Sequence, residues 1–259
     1  MTPILAVRGL RKRYGGYLAV NGLDMHVDAG TIHAVIGPNG AGKTTLFNMV
    51  TGVVPPTAGS IEFNGMELAR QPPDRITALG IARTFQGVRL WKDMSVLDNV
   101  MVGRHLRTRG GFVAALGRLP WRDTAEEVET RRRAEELLTL IGLPHRRDGL
   151  AGDLSLADQR RLEIARALAT EPRLLLLDEP VAGMNPVEVE EAGRLIQNVR
   201  ESGVTVLLTE HHMTLVMRIS DVVTVLNYGE KIAEGPPDAV KRHPAVLEAY
   251  LGPSAAPPG

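Results

Sequence analysis

The stretch GPNGAGKTT at residues 37–45 has the residue types and the spacing of a phosphate-binding loop. It matches G-x-x-x-x-G-K-[ST] and lies between a strand pattern and a helix pattern, as such a loop requires. Its glycines let successive backbone N–H groups face one anion, to which the helix N-terminus adds partial positive charge. Lys43 is expected to bind the β and γ phosphates, and the Thr44 hydroxyl to bind Mg²⁺. The predicted nucleotide-binding residues are Gly37, Pro38, Asn39, Gly40, Ala41, Gly42, Lys43, Thr44 and Thr45.

A second group of candidate residues ends the apolar run RLLLLDE at 173–179. A buried strand that ends in Asp178 would place a carboxylate at the sheet edge, where it can hold Mg²⁺ through water. Glu179 would then orient or deprotonate the water that attacks the phosphate. Alone, the pair could also be a solvated strand end or a helix cap. Together with the phosphate loop it predicts a nucleotide hydrolase that uses Mg²⁺.

Strand patterns near both ends of the chain predict an α/β lobe that the chain leaves and re-enters. Runs rich in β-branched or aliphatic residues, bounded by turn signals, lie at 4–7, 31–37, 59–65, 173–179, 204–210, 221–226 and 230–234. The runs LLLL and VTVLL are continuously apolar, as expected of parallel strands that are buried on both faces. A helix is predicted from about Lys43.

Helical patterns replace the strand signal between about 88 and 170. The spacing at 123–143 predicts a helix that Gly142 stops, with one face formed by Val128, Leu137, Leu138 and Ile141. The middle of the chain is therefore interpreted as an inserted helical lobe. The Pro/Gly/Ala-rich tail at 252–259 is predicted to be disordered.

The composition limits the classes of partner. The 30 basic and 30 acidic residues give a net charge of zero, which argues against a nucleic-acid partner. The arginine clusters at 107–111 and 130–136 are interpreted as solvated helix faces. The chain has no cysteine, hence neither disulfides nor thiolate metal sites. No apolar run approaches the roughly 20 residues that span a bilayer, so we expect a cytoplasmic protein that reaches a membrane only through a partner.

Taken in order, these motifs resemble those of the nucleotide-binding subunit of ATP-binding-cassette (ABC) transporters over nearly the whole chain. The resemblance adds RKRYGG, ARTFQ, LSLADQRRLEIARAL and LLTEHH to the two motifs above. It implies that Tyr14 stacks on adenine, with Tyr17 as the less favoured substitute. It also implies that Gln86 reaches Mg²⁺ and the attacking water.

Two further roles follow from the same resemblance. Ser155, in the signature stretch LSLAD, would contact ATP that is held by a partner cassette, and His211 would sense the γ-phosphate. His212 is interpreted as a bystander. Adjacent residues on an extended chain point to opposite faces, so the two histidines make a poor metal chelate.

The resemblance implies a fold with three parts. A P-loop NTPase core of the RecA type, with an antiparallel β subdomain, would comprise residues 1–87 and 166–251. An inserted α-helical subdomain that contains the signature stretch would comprise 88–165, followed by the tail at 252–259. Two cassettes would pair head to tail, either identical or different, at the cytoplasmic face of the inner membrane. Their partners would be two membrane permease subunits and, indirectly, a solute-binding protein.

Three stretches favour one branch of the family. PVAGMNP (180–186), EHHMTLVM (210–217) and AVLEAYLG (245–252) resemble the ATP-binding subunits of branched-chain amino acid importers. Urea or amide import, lipopolysaccharide export and a soluble non-transport ATPase remain the alternatives. Export subunits usually carry aspartate at the position of Asn185.

The signature stretch departs from the family pattern, which often has glycine at Leu156 and Ala157. Ser155 and Asp158 form an S-x-x-D box, so Ser155 is expected to cap the following helix. An acid facing a phosphate would oppose dimer closure. The Asp158 carboxylate is therefore expected to turn back to its own helix or to pair with an arginine. The Ala157 methyl is expected where backbone approaches phosphate, which suggests the hypothesis of two unequal ATP sites.

Overall fold

The computed structural model describes residues 3–104 and 125–251. The arginine cluster at 107–111 and the tail at 252–259, for which the sequence makes predictions, lie outside these residues. Within the described part, no helix combines the length and the apolar character needed to cross a membrane.

Two sheets form the scaffold of the described residues. The strands are β1 Leu5–Tyr14, β2 Tyr17–Val27, β3 Ile32–Ile36, β4 Ala58–Phe63, β5 Met66–Glu67, β6 Ile81–Arg83, β7 Leu174–Asp178, β8 Thr205–Thr209, β9 Val222–Asn227 and β10 Glu230–Gly235. An antiparallel sheet has the order β2-β1-β4-β5. A second sheet has the order β10-β9-β3-β8-β7-β6 and is parallel except for its β10 edge.

The helices cover both faces of the parallel sheet. They are α1 Lys43–Val50, α2 Pro73–Leu79, α3 Val96–Gly103, α4 Ala125–Leu140, α5 Leu156–Leu168, α6 Pro186–Glu201, α7 Met213–Ile219, α8 Pro237–Lys241 and α9 Pro244–Leu251. Helices α3, α4 and α5 contact one another in the middle of the chain. The predicted subdomain boundaries at 88 and 165 stay a prediction.

Two hydrophobic cores follow from the alternation of side chains along the buried strands. On one face, Ile32 and Ile36 of β3 lie in a core with helices α3 to α7. On the other face, Val35 of β3 lies in a core with α1 and the antiparallel sheet. Strands buried on both faces explain the continuous apolar runs. The predicted α/β class, with an antiparallel sheet and an inserted group of helices, is confirmed.

Two local expectations were incomplete. The whole of β2 was missed, because YLAVNGLDMHV mixes polar residues and a glycine into its alternation. Helix α4 was predicted, but Val128 is 55% exposed and does not belong to its apolar face. The buried side chains of α4 are Thr130, Ala134 and Leu138. These residues are buried because this face of α4 packs against α3 and α5. The face was hard to predict because Thr130 and Ala134 are small and only weakly hydrophobic.

A series of hydrogen bonds between buried or partly buried polar side chains links strands β3, β9 and β10. The His33 ring lies in β3 at 1% exposure, and its Nε2 is 2.8 Å from the Thr224 hydroxyl of β9. The Thr224 hydroxyl donates to Glu234 Oε2 of β10 at 2.9 Å, so the imidazole Nε2–H donates to Thr224. Burial lowers the pKa of His33 to about 4, against the opposing charge of Glu234.

The buried, neutral His33 predicts that the stability of the protein depends on pH. An unfolded histidine gains its proton near pH 6.5, whereas folded His33 gains it only near pH 4. Between these values the unfolded state binds more protons, so the free energy of unfolding should fall by about 3 kcal/mol as the pH drops from 6.5 to 4. Denaturant titrations across this range should show the loss in the natural chain and much less of it in His33→Gln. Exposed His243→Gln is the matched control, and parallel curves for the natural chain and His33→Gln would contradict the prediction.

Candidate functional site

The phosphate loop connects β3 to α1, as the sequence predicts. Two of its glycines are required by geometry. A Cβ on Gly37 (φ 151°) would lie 2.1 Å from the Leu226 carbonyl oxygen, and one on Gly42 (φ 106°) would lie 2.6 Å from the Ala19 carbonyl oxygen. Both backbones also adopt positive φ values that other residues rarely accept. The glycines therefore let the loop pack directly against neighbouring backbone.

Lys43 starts helix α1 and is folded into the loop. Its Nζ donates to the carbonyl oxygens of Gly37 at 2.6 Å and Pro38 at 3.1 Å. Burial lowers the pKa of Lys43, while the nearby carboxylates of Glu179 and Asp178 act in the opposite direction. The ammonium thus bonds to the loop and is close enough to the predicted magnesium ligand Asp178 and the predicted catalytic Glu179 to feel their charges.

The end of β7 presents Asp178 with both carboxylate oxygens engaged. Oδ1 accepts a hydrogen bond from the Thr209 hydroxyl at 2.7 Å, and Oδ2 accepts one from Arg83 Nη2 at 2.7 Å. Each oxygen keeps a further lone pair, because a carboxylate offers about four acceptor sites. Asp178 is 4% exposed, so these two partners fix the orientation of a buried charge.

The Glu179 carboxylate contacts two other residues that the sequence analysis predicts for the site, Gln86 and His211. Oε2 accepts a hydrogen bond from Gln86 Nε2 at 2.8 Å, and Oε1 lies 3.9 Å from His211 Nδ1. The Glu179 backbone has φ 50°, uncommon for a residue with a side chain, and its N–H donates to the Thr209 carbonyl at 3.0 Å. Such strained backbone concentrates at functional sites. The structure thus brings Glu179, Gln86 and His211 together from three separate loops.

The two adjacent histidines have different environments. The His211 side chain is 63% exposed and faces Glu179. The His212 ring accepts a 3.4 Å hydrogen bond from the Leu215 N–H and caps helix α7. This capping contact agrees with the interpretation of His212 as a bystander.

Glu210 is a residue that the sequence analysis missed. It is fully buried, and its carboxylate accepts from the N–H groups of His211, His212 and Val181 at 3.0, 3.2 and 3.0 Å. Its hydrogen bonds therefore connect the loop that carries His211 and His212 to the segment after β7. A charged residue directly after the apolar run VTVLLT was the available signal.

The two aromatic candidates for adenine differ in their contacts. Tyr14 is 45% exposed, and the Lys12 ammonium lies 5.0 Å from its ring centre. The Tyr17 hydroxyl donates to the Gly40 carbonyl oxygen of the phosphate loop at 3.3 Å. Tyr17, the less favoured candidate, thus contacts the phosphate loop directly, and the role of Tyr14 stays a prediction.

The signature stretch forms the start of α5. The Ser155 hydroxyl accepts from the Asp158 N–H at 3.1 Å, as expected of a helix cap. Asp158 Oδ1 lies 3.8 Å from Arg161 Nη1, which agrees with the expected arginine pairing. Ala157 is 5% exposed, so its methyl packs within its own chain, and the expectation that backbone approaches phosphate at this position stays a prediction. Leu156 is the exposed departure, beside Gly183.

Three residues on one face of α5 hold the loop that follows β6 and carries Gln86, here called the glutamine loop, and the sequence analysis did not single them out. Arg160 donates to the carbonyl oxygens of Glu179 and Gln86, both at 3.3 Å. Glu163 Oε1 accepts from the Arg89 N–H at 2.6 Å, and Arg166 donates to the Arg89 carbonyl. Burial raises the pKa of Glu163, against the neighbouring Arg89 N–H and arginine charges. These three residues follow one another at intervals of three, a spacing from which a shared helix face could have been predicted.

The donors in this site fit a magnesium nucleotide. A glycine-rich backbone, a helix N-terminus and the Lys43 ammonium are suited to phosphate. The Thr44 hydroxyl, the Asp178 carboxylate and the Gln86 amide supply the oxygen ligands that Mg²⁺ prefers. The fold and the loop together define a P-loop nucleotide-binding protein.

Comparison with known families gives a narrower class. The profile of the ABC transporter family matches residues 20–182. A second profile, that of the branched-chain amino acid ATP-binding cassette transporter, matches residues 230–252, which include β10 and α9.

Individual relatives agree over almost the whole chain. The high-affinity branched-chain amino acid transport ATP-binding protein BraF of Pseudomonas aeruginosa is 45% identical over 96% of this chain and 98% of its own. LivG of Escherichia coli, which has the same description, is 43% identical over the same shares. The solved ADP conformation of MJ1267, an ATP-binding cassette of an ABC transporter, is 31% identical. It superposes with a TM-score of 0.85 over 97% of this chain and all of that chain.

The chain therefore belongs to the ABC transporter family of ATP-binding cassettes. The family resemblance noted from the motifs is confirmed.

Proposed function

We propose that this protein binds and hydrolyses ATP as one subunit of an importer for branched-chain amino acids, acting at the cytoplasmic face of the inner membrane. The observation that carries the hydrolytic part is the meeting of Glu179, Gln86 and His211 next to Lys43. Support for the solute comes from the names of the relatives BraF and LivG and from the matching C-terminal profile.

The proposed mechanism divides the work among the residues of the site. The loop and Lys43 hold the phosphates, and Glu179 accepts a proton from the attacking water as ADP and phosphate form. Gln86 and His211 orient the Glu179 carboxylate through the contacts already described. Thr44, Asp178 and Gln86 would hold Mg²⁺, which when bound offsets the phosphate charge.

Ser155 is proposed to act on a second cassette. It is exposed at the start of α5, and its hydroxyl caps the helix whose N-terminus can face an anion. In a head-to-tail pair this end would meet nucleotide that the other cassette holds. The hypothesis of unequal sites then rests mainly on exposed Leu156, because the Ala157 methyl is buried.

The permease is proposed to dock beside the glutamine loop. Trp91 is 48% exposed, and its ring stacks with Arg166, whose guanidinium carbon lies 5.0 Å from the ring centre. Val88, Leu90 and Met94 are half-buried around it. An exposed aromatic among apolar neighbours suits a partner helix. Because Arg166 and Glu163 tie this segment to α5, docking and the signature end would move together.

Solute uptake by the assembled transporter tests the proposal. The chain would be purified with two permease subunits, a partner cassette and a binding protein from the same operon, and placed in lipid vesicles. We expect ATP-dependent uptake of labelled leucine, isoleucine and valine, and none of urea or acetamide. The same complex with Glu179→Gln is the control for ATP dependence. Uptake of urea or acetamide alone would replace the proposed solute class while leaving the ATPase assignment in place.

Lipopolysaccharide export is not favoured. LptB of Escherichia coli, an export ATP-binding protein, is 34% identical over 96% of this chain, against 43–45% for the amino acid transport relatives. The C-terminal profile match at 230–252 points in the same direction.

A further inference from the structure

One buried guanidinium connects three parts of the nucleotide site. Arg83 is the last residue of β6 and lies three residues before Gln86. Its side chain is 6% exposed. A buried charge of this kind needs partners, because removing it from water is costly.

The partners of Arg83 are themselves parts of the site. Nη2 donates to Asp178 Oδ2 at 2.7 Å. Nη1 donates to Asn48 Oδ1 at 2.7 Å and to Thr51 Oγ1 at 3.2 Å, both of which belong to the helix that starts at Lys43 or to its C-terminal cap. One rigid fork therefore links the end of β7 to the helix of the phosphate loop.

Two aromatic rings hold the guanidinium in place. Its central carbon lies 5.5 Å from the ring centre of Phe47 in α1 and 5.2 Å from that of Phe85, which directly precedes Gln86. Its Nε has no hydrogen-bond partner among the described residues. The contacts at Nη1 and Nη2, together with the rings, thus determine its position. A lysine ammonium could supply the charge but not this planar fork.

A purely stabilising role explains these contacts poorly. Well-packed apolar residues often replace a buried ion pair at no cost in stability, so such a pair is weak evidence for a stabilising function. This pair instead fixes the carboxylate that is proposed to serve Mg²⁺. Thr209 holds the other oxygen, so the two hydrogen bonds together fix one orientation of the carboxylate.

We infer that Arg83 is a positioning residue, which orients Asp178 for Mg²⁺ and couples that orientation to the phosphate-loop helix and to the glutamine loop. This inference rests on the proposed function of Asp178. Residues that orient a metal ligand commonly change metal affinity by about 10- to 100-fold when they are replaced. Loss of the fork should therefore raise the Mg²⁺ requirement without weakening the metal-free contacts of the loop.

The test measures the Mg²⁺ dependence of nucleotide binding to the full chain, using a fluorescent ATP analogue. For Arg83→Met we expect the Mg²⁺ concentration at half-saturation to rise about tenfold or more. Binding in EDTA should stay within about twofold, because the loop contacts persist. Arg83→Lys keeps the charge, so its Mg²⁺ concentration at half-saturation should lie between those of the natural chain and of Arg83→Met. It also carries the test should Arg83→Met fail to fold.

Arg104→Met is the matched control. Arg104 is also a buried arginine that bridges a carboxylate, Glu171, at 2.8 Å, but it lies at the end of α3. The Arg104→Met variant should have a lower melting temperature and an unchanged Mg²⁺ requirement. An unchanged requirement in both Arg83 variants would overturn the inference, and a lowered one would show that Arg83 competes with the metal. If Glu179→Gln also kept full turnover, the proposed function itself would fail, so the two failures are distinguishable.

Discussion

A Glu179→Gln substitution is expected to slow ATP hydrolysis by the assembled complex at least about 100-fold while leaving ATP binding almost unchanged. Glutamine keeps the shape of the side chain but cannot accept the proton from the attacking water. Binding should persist because the phosphates are held by the loop and Lys43, which the substitution does not touch. Phosphate release and equilibrium binding of a fluorescent ATP analogue would measure the two effects separately.

The control for this prediction is a glutamate outside the site. Glu62→Gln removes a partly exposed carboxylate that pairs with Arg8 on the antiparallel sheet, and it should leave both readouts unchanged. Turnover above about a tenth of the natural rate in Glu179→Gln would show that another group accepts the proton. An equal loss of binding and turnover would instead mean that Glu179 holds the nucleotide site together.

The strongest parts of the site could be predicted because they depend on local geometry. A loop that must turn at Gly37 and Gly42 needs glycine at fixed spacing, and the ammonium that follows must start a helix. A strand buried on both faces is continuously apolar, so the first acid after it, Asp178, marks the sheet edge. These constraints act within about ten residues, and a single sequence therefore shows them.

Residues that act across the fold were not predictable in the same way. Arg83 is 95 positions from Asp178, and Arg160 is 74 from Gln86. Their functions depend on which strand lies beside which and on where α5 packs. Glu163 illustrates the difficulty, because a charged residue inside a helix pattern normally indicates a solvated face. Here it is 2% exposed, and its carboxylate accepts a hydrogen bond from the Arg89 N–H and lies 3.7 Å from the Arg166 guanidinium.

The signature stretch shows how a helix can change the meaning of an unusual residue. Ala157 looked disruptive because the family pattern often has glycine at this position, where backbone is expected to approach phosphate. Once Ser155 caps the helix, Leu156 and Ala157 occupy different faces of its first turn, with Ala157 in the core and Leu156 outside. In the proposed pair of cassettes, Leu156 would therefore be the unusual residue that meets the partner. Telling it apart from Ala157 requires knowing how the helix is rotated.

A Lys43→Ala substitution is expected to weaken ATP binding by roughly 30-fold, since a hydrogen bond to a charged group contributes about 2 kcal/mol. In the free protein the ammonium bonds to the carbonyls of Gly37 and Pro38. Burial lowers its pKa, because the charge is incompletely solvated there. A phosphate would supply the opposing charge that these neutral carbonyls lack. Calorimetric titration of the full chain with ATP and with ADP would measure the loss.

The comparison between the two nucleotides identifies the phosphate that Lys43 contacts. If it binds both the β and γ phosphates, ATP affinity should fall further than ADP affinity, because ADP offers only one of the two. Lys43→Arg should recover little, since the larger fork does not fit where a compact ammonium lies within 2.6 Å of backbone. Lys231→Ala, which removes a partly exposed lysine paired with Glu234, is the control and should bind both nucleotides normally. Equal losses for ATP and ADP would limit the contact to the β phosphate, and unchanged affinities would remove Lys43 from the nucleotide site.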